Sequence, residues 1–237
     1  NGSNSQTGCQ MTLEIRDLSK IYNEDTEFPV AAVDHLSLTI EAGEFVAIMG
    51  PSGSGKTTLL NMVGGIDVPT SGEVFIDAEN ISALSQRELI AFRRDNIGFV
   101  FQDYSLLPVL TALENVEFVM QLQGRAAAEC SQRAKQLLER VGLAEHLHKV
   151  PAKLSGGQQQ RVAVARALAP QPRFIIADEP TANLDAHSTA ELLDMMQALN
   201  QQEHTTFIFS THDPRVIDRA KRVVVIEDGR VVEDRLS

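Results

Sequence analysis

Apolar residues follow two rhythms along this chain, and their alternation predicts a largely parallel α/β fold. Residues 45–49 (FVAIM) are continuously apolar, as a strand covered on both faces of a sheet requires. Stretches 12–15 and 31–40 also read as strands, and GEVFIDAENI (72–81) adds a strand and a turn. TTLLNMVGG (57–65), directly after a glycine-rich loop, reads as a helix. From about residue 85 to 152 the pattern turns mainly helical. There Ala134, Leu137, Leu138 and Val141 recur at helical spacing, with Ser131 as the expected cap and Gly142 as the expected stop. Beyond residue 155 the alternation resumes: a helix in QQQRVAVARAL, strand FIIA (174–177), a helix around 190–199 and strand TFIFST (206–211). Asp228 and Gly229, set between two Val/Ile runs, predict a closing hairpin. The antiparallel strands thus fall near the two ends of the chain, and the helical middle is an insertion.

A chain of 237 residues can bury a core as one unit with a subdomain. It contains no apolar run of the roughly 18 residues that cross a bilayer, and no secretory leader pattern. A cytoplasmic location is therefore expected, with any membrane contact made through a partner. The formal net charge of -11, without a long Lys/Arg run, argues against nucleic acid as a partner. Cys9 and Cys130 are far apart and outside metal-type spacing, so free thiols are expected. Residues 1–10, polar and rich in Gly, Ser and Asn, read as a tail or appended remnant outside the fold.

The chemistry begins at residues 50–57, GPSGSGKT, which satisfy G-x-x-x-x-G-K-[ST] without mismatch. Gly50, Gly53 and Gly55 let the backbone bend until successive N–H groups face one anion. Pro51, Ser52 and Ser54 complete that loop, and the helix opening at Lys56, Thr57 and Thr58 adds the positive end of its dipole. Lys56 would meet the β- and γ-phosphates of ATP, and the Thr57 hydroxyl would bind Mg²⁺. FIIADEP (174–180) is an apolar strand ending in two carboxylates. Asp178 is assigned to the Mg²⁺ shell, and Glu179 to orienting or deprotonating the attacking water.

LSGGQQQR (154–161) narrows the reading, because it resembles the signature of ABC-type ATPases. Ser155, Gly156, Gly157 and Gln158 would present hydroxyl and N–H donors at a helix N-terminus, as a second phosphate contact needs. The other elements of that family stand in its order. The resemblance implies that Tyr22 (LSKIY) stacks on adenine and that Gln102 (FVFQDYSLLP) touches Mg²⁺ and the nucleophilic water. It also implies that Asp185 (ANLD) contacts the opposite subunit and that His212 (STHD) senses the γ-phosphate beside Glu179. By the same resemblance the fold is a P-loop NTPase core, about 11–90 and 156–237, with an antiparallel β subdomain and an inserted helical subdomain at about 91–155. Two copies would sandwich two ATP molecules, each phosphate loop facing residues 155–158 of the other subunit.

Residues 23–38, 59–74, 97–116 and 177–185 are further similar to the ATPases of lipoprotein-release and macrolide- or peptide-export systems. That likeness implies a separate membrane permease docked near residues 102–108, including Tyr104, Leu106, Leu107 and Pro108. The chain would then sit on the cytoplasmic face of the inner membrane. An importer ATPase for a small solute, or an ABC ATPase unconnected with transport, stays open at this point.

Overall fold

A computed structural model describes residues 12–217 and 219–236; the proposed tail at 1–10, with Cys9, lies outside them. Two sheets organise the chain. The first is antiparallel, ordered β2 (Val30–Glu41), β1 (Thr12–Tyr22), β4 (Ser71–Ile76) and β5 (Glu79–Asn80). The second is ordered β10 (Arg230–Leu236), β9 (Arg222–Glu227), β3 (Phe45–Met49), β8 (Thr206–Thr211), β7 (Phe174–Ala177) and β6 (Ile97–Val100). All its neighbours run parallel except the β9–β10 hairpin. Asp228 and Gly229 both take positive φ at that hairpin's turn, as the dipeptide predicts.

The apolar run of β3 is explained by its two covered faces. Phe45 and Ala47 point into one core with Phe207, Phe209 and Ile175, under the helices. Val46 and Ile48 point into another, shared with the antiparallel sheet and helix α1 (Lys56–Val63). Helices α2 (Gln86–Asn96), α3 (Ala112–Leu122), α4 (Ala127–Arg140) and α5 (Gly156–Leu168) follow in the middle of the chain. The long α6 (Ala186–Glu203) and the short α7 (Pro214–Ile217) belong to its last third. Arg133 of α4 donates to Glu203 at the end of α6 at 2.8 Å, and Arg140 joins the same carboxylate.

Two expectations change. Ser131 does not cap α4: the helix starts a turn earlier, with Ala126 at its N-cap, because Ala127, Ala128 and Glu129 are strong helix formers. Gly142 does follow its end in the left-handed conformation. The second change is β6, a strand of the main sheet inside the stretch read as helical. Its four residues are too few to show a period of their own.

Candidate functional site

The glycine-rich loop joins β3 to α1. Gly55, the residue before α1, has φ +100° and offers no side chain, so the first N–H groups of the helix stay open toward an anion. A Cβ on Gly50 would stand 2.1 Å from the Ile226 carbonyl oxygen, and one on Gly55 would stand 2.0 Å from that of Ala32. Neighbouring backbone therefore closes on the loop from both sides, and no side chain fits at either position. The hairpin turn buttresses it as well: the Gly229 N–H donates to the Ser54 carbonyl at 3.0 Å, and the Gly229 carbonyl accepts from Asp34 N–H at 3.0 Å. Lys56 is buried, its ammonium donating to the carbonyls of Gly50 (2.8 Å) and Pro51 (3.0 Å). Those bonds hold the loop open, and an incoming phosphate oxygen can replace them.

Across from the loop, β7 ends and its carboxylates meet the phosphate machinery. The Thr57 hydroxyl donates to Asp178, with Oδ2 at 3.0 Å and Oδ1 at 3.2 Å. Glu179 has φ +46°, rare for a residue with a Cβ, and its Oε1 lies 2.8 Å from His212 Nδ1. Ser52, Gly53, Gly55, Lys56, Thr57, Thr58, Gln102, Glu179 and His212 line one cavity of about 580 Å³, together with Ala32 and Ala182. Thr57 and Asp178 bring a hydroxyl and a carboxylate together as hard oxygen donors. Such a pair fits Mg²⁺, which takes one or two carboxylate or hydroxyl ligands and completes its shell with water and phosphate oxygens.

Other expected site residues lie outside this cavity. Tyr22 turns its hydroxyl to Asp67 Oδ2 (2.8 Å) with the Lys20 ammonium 5.1 Å from its ring centre, leaving a partly exposed ring. Ser155 caps α5, accepting from Gln158 N–H (3.2 Å) while Gln158 Oε1 accepts from Ser155 N–H (3.0 Å). Asp185 caps α6 by accepting from the N–H groups of His187 and Ser188, both at 2.9 Å. Those donors, the Ser188 N–H foremost, hold its carboxyl below the usual range. Gly50, Pro51 and Ser54 shape the loop from behind.

Four contributors were not read from sequence. Ala32 and Ala182 carry no chemistry and left no signal. Ser210 did leave one, a polar residue in the run TFIFST, whose interior is fully buried. Asn183 also stands here, donating to the Gln102 carbonyl at 2.9 Å.

A second, apolar cavity of about 550 Å³ lies beyond Gln102, lined by Ile90, Phe99, Phe101, Leu107, Phe118 and Leu122 among others. Arg166 of α5 closes one side, donating to the carbonyls of Tyr104 (3.0 Å) and Ser105. Of the expected docking segment, Ser105 and Leu107 line this groove. Leu106 packs against the core, Pro108 is not among the lining residues, and Tyr104, half-buried, sets its hydroxyl against Gly156. Burial raises the Tyr104 hydroxyl's pKa. Cys130 is buried and unpaired.

Known proteins resemble this chain along most of its length. The family model described as ABC transporter matches residues 33–182, and one described as AAA domain, putative AbiEii toxin, Type IV TA system, matches 147–218. The macrolide export ATP-binding/permease protein MacB of Hyphomonas neptunium is 48% identical over 223 residues, covering 94% of this chain and 34% of that protein. The chain thus spans about a third of that relative's length. The lipoprotein-releasing system ATP-binding protein LolD of Anaeromyxobacter dehalogenans is 50% identical over 200 residues, 84% of each chain. A solved dimeric structure of a post-hydrolysis state of the ATP-binding cassette MJ0796, bound to ADP and Pi, superposes with a TM-score of 0.86. It is 41% identical and covers 94% of this chain and 98% of its own.

Proposed function

The chain belongs to the ABC transporter family, and from that premise we propose that it binds and hydrolyses ATP to drive a separate membrane permease. The observation that carries the reading is Glu179, held by His212 at 2.8 Å, facing the glycine-rich loop in one cavity. The loop amides, the α1 N-terminus and Lys56 would receive the β- and γ-phosphates. Thr57 and Asp178 would hold Mg²⁺, which supplies charge neutralisation on the phosphates when bound. Glu179 would accept the proton of the attacking water or orient it, while His212 fixes the carboxylate and meets the γ-phosphate. Gln102, on the same cavity, would touch Mg²⁺ and the water and report their state to the groove beyond it. Tyr22 offers a partly exposed ring for adenine.

Residues 155–158 lie outside this chain's own cavity, which supports a second copy as the source of the facing donors. Two identical chains related by a two-fold axis satisfy both sites at once. ATP then favours the closed pair because each γ-phosphate gains those donors, and hydrolysis withdraws them. Asp185 would contact the opposite subunit near this seam. The apolar groove beyond Gln102 suits a helix of the permease, and the relatives named above favour export or lipoprotein release over uptake. Among the described residues no helix is long and apolar enough to cross a membrane, so the permease would be what holds this chain there.

Glu179→Gln tests the cycle. The variant is expected to bind ATP, fail to hydrolyse it and accumulate as a dimer in light scattering. A variant that stays monomeric in saturating ATP overturns the cycle.

A further inference from the structure

The carboxylate pair is organised by a side chain that none of the roles above includes. Ser210 lies on β8, one step beyond the last β7–β8 pair (Ala177↔Phe209), and is fully buried. At this level β7 has ended and its chain leaves the sheet. The Asp178 N–H turns to the Val100 carbonyl of β6 at 3.0 Å. The Glu179 N–H is received by the Ser210 hydroxyl oxygen at 2.9 Å, and the same hydroxyl donates its proton to Asp178 Oδ1 at 2.5 Å. A serine hydroxyl has one proton, and here both that proton and a lone pair go to two consecutive acidic residues.

We propose that Ser210 is a positioning residue for the ATPase reaction: it orients Asp178 toward the Mg²⁺ site and pins the backbone of Glu179. The inference rests on the functional reading above. Ser210 on Oδ1, with the Thr57 hydroxyl within reach of both oxygens, fixes the carboxylate's orientation before a nucleotide arrives. A partner that orients a ligand in this way is typically worth 10-fold to 100-fold in metal affinity or activity. The second bond acts on the strained residue. Glu179 holds its left-handed backbone where its N–H finds no ladder partner, and Ser210 supplies that partner. A serine that merely satisfied itself in a strand would bond a carbonyl of its own strand and leave the acidic pair alone.

The test compares the native chain with Ser210→Ala and Ser210→Thr. ADP affinity is measured by calorimetry in Mg²⁺ and in EDTA, and ATP turnover is measured alongside. In EDTA the three proteins are expected to agree within about twofold. In Mg²⁺ the native chain binds more tightly, Ser210→Ala loses about tenfold of that gain, and Ser210→Thr, which keeps the hydroxyl, recovers most of it. Turnover of Ser210→Ala at saturating Mg-ATP falls by a similar or larger factor with KM for ATP little changed. Equal Mg²⁺ gain and equal turnover in Ser210→Ala overturn the proposal. A native chain with no Mg²⁺-dependent nucleotide affinity overturns instead the ATPase reading beneath it. Should Ser210→Ala fail to fold, Ser210→Cys reads the same quantities with the site still filled and a weak donor in place.

Discussion

The contact between the C-terminal hairpin and the phosphate loop yields a measurable consequence at Gly229. That residue has φ +77°, and a Cβ added to it would stand 2.9 Å from Val33 Cα, 3.0 Å from the Ala32 carbonyl oxygen and 3.0 Å from Asp34 N. All three are backbone atoms of β2 and cannot swing aside. Alanine in the left-handed region costs about 1 kcal/mol by itself, and overpacking a tight site adds about 1–3 kcal/mol. The two contributions separate against Gly124→Ala, where φ is +76° but nothing lies within 4 Å of the added carbon. Gly229→Ala is therefore expected to be less stable than Gly124→Ala by about 1–3 kcal/mol, at roughly 2–4 °C in Tm per kcal/mol for a chain of this size. Relief of the overlap must lift the turn away from β2, which disturbs the bond from Gly229 to the Ser54 carbonyl. ATP affinity should fall in Gly229→Ala and stay unchanged in Gly124→Ala. Melting curves and nucleotide titrations that do not distinguish the two variants refute the idea that the hairpin buttresses the loop.

Lys56→Ala is expected to abolish nucleotide binding, because no other lysine or arginine among the described residues lines the cavity; unchanged ATP affinity in a titration contradicts the site assignment. Glu203 sets a pH dependence. Burial opposes its ionisation, but the hydrogen bonds and charges of Arg133 and Arg140 outweigh that and hold its carboxyl below the ordinary value. Its contribution to stability is thus complete above the unfolded-state value of about 4.3 and disappears as pH falls through the lower folded value. Glu203→Gln should start less stable at pH 7 and lose less stability between about pH 5 and pH 3. Urea midpoints that fall in parallel for the two proteins over that range would show that the pair does not couple to folding.

The parts legible in sequence are those where one residue type alone can satisfy the local geometry. Gly50 and Gly55 are closed in by carbonyls that admit no side chain, Asp228 and Gly229 must both turn left-handed, and FVAIM must be apolar on both faces. Those positions announce themselves. Less visible were features defined by what lies opposite. Ile97–Val100 is recognisable as a strand only because Phe174–Ala177 pairs with it, and its short run sits between helices. Ala32 lines the site with no polar group in its side chain to mark it. Ser210 stood out as polar in an apolar run, but its two acidic partners come from the chain just past another strand, and no spacing within one segment reveals them. Similarly, the apolar groove draws on α2, α3 and β6, so the docking segment read after Gln102 contributed only Ser105 and Leu107.

The position of β6 reaches further than the site itself. The chain leaves the main sheet after Val100 and returns at Phe174, on the strand lying beside the one it left. Everything between is therefore a loop, in the topological sense, hung from one edge of an intact sheet. Residues facing the groove can vary there without shifting a hydrogen bond of the phosphate loop between β3 and α1. Arg133 and Arg140 on the Glu203 carboxylate, and Asn183 on the Gln102 carbonyl, are connections through which the two regions feel each other. In an architecture of this kind the inserted rim can change its contacts while the loop beside the sheet keeps its own.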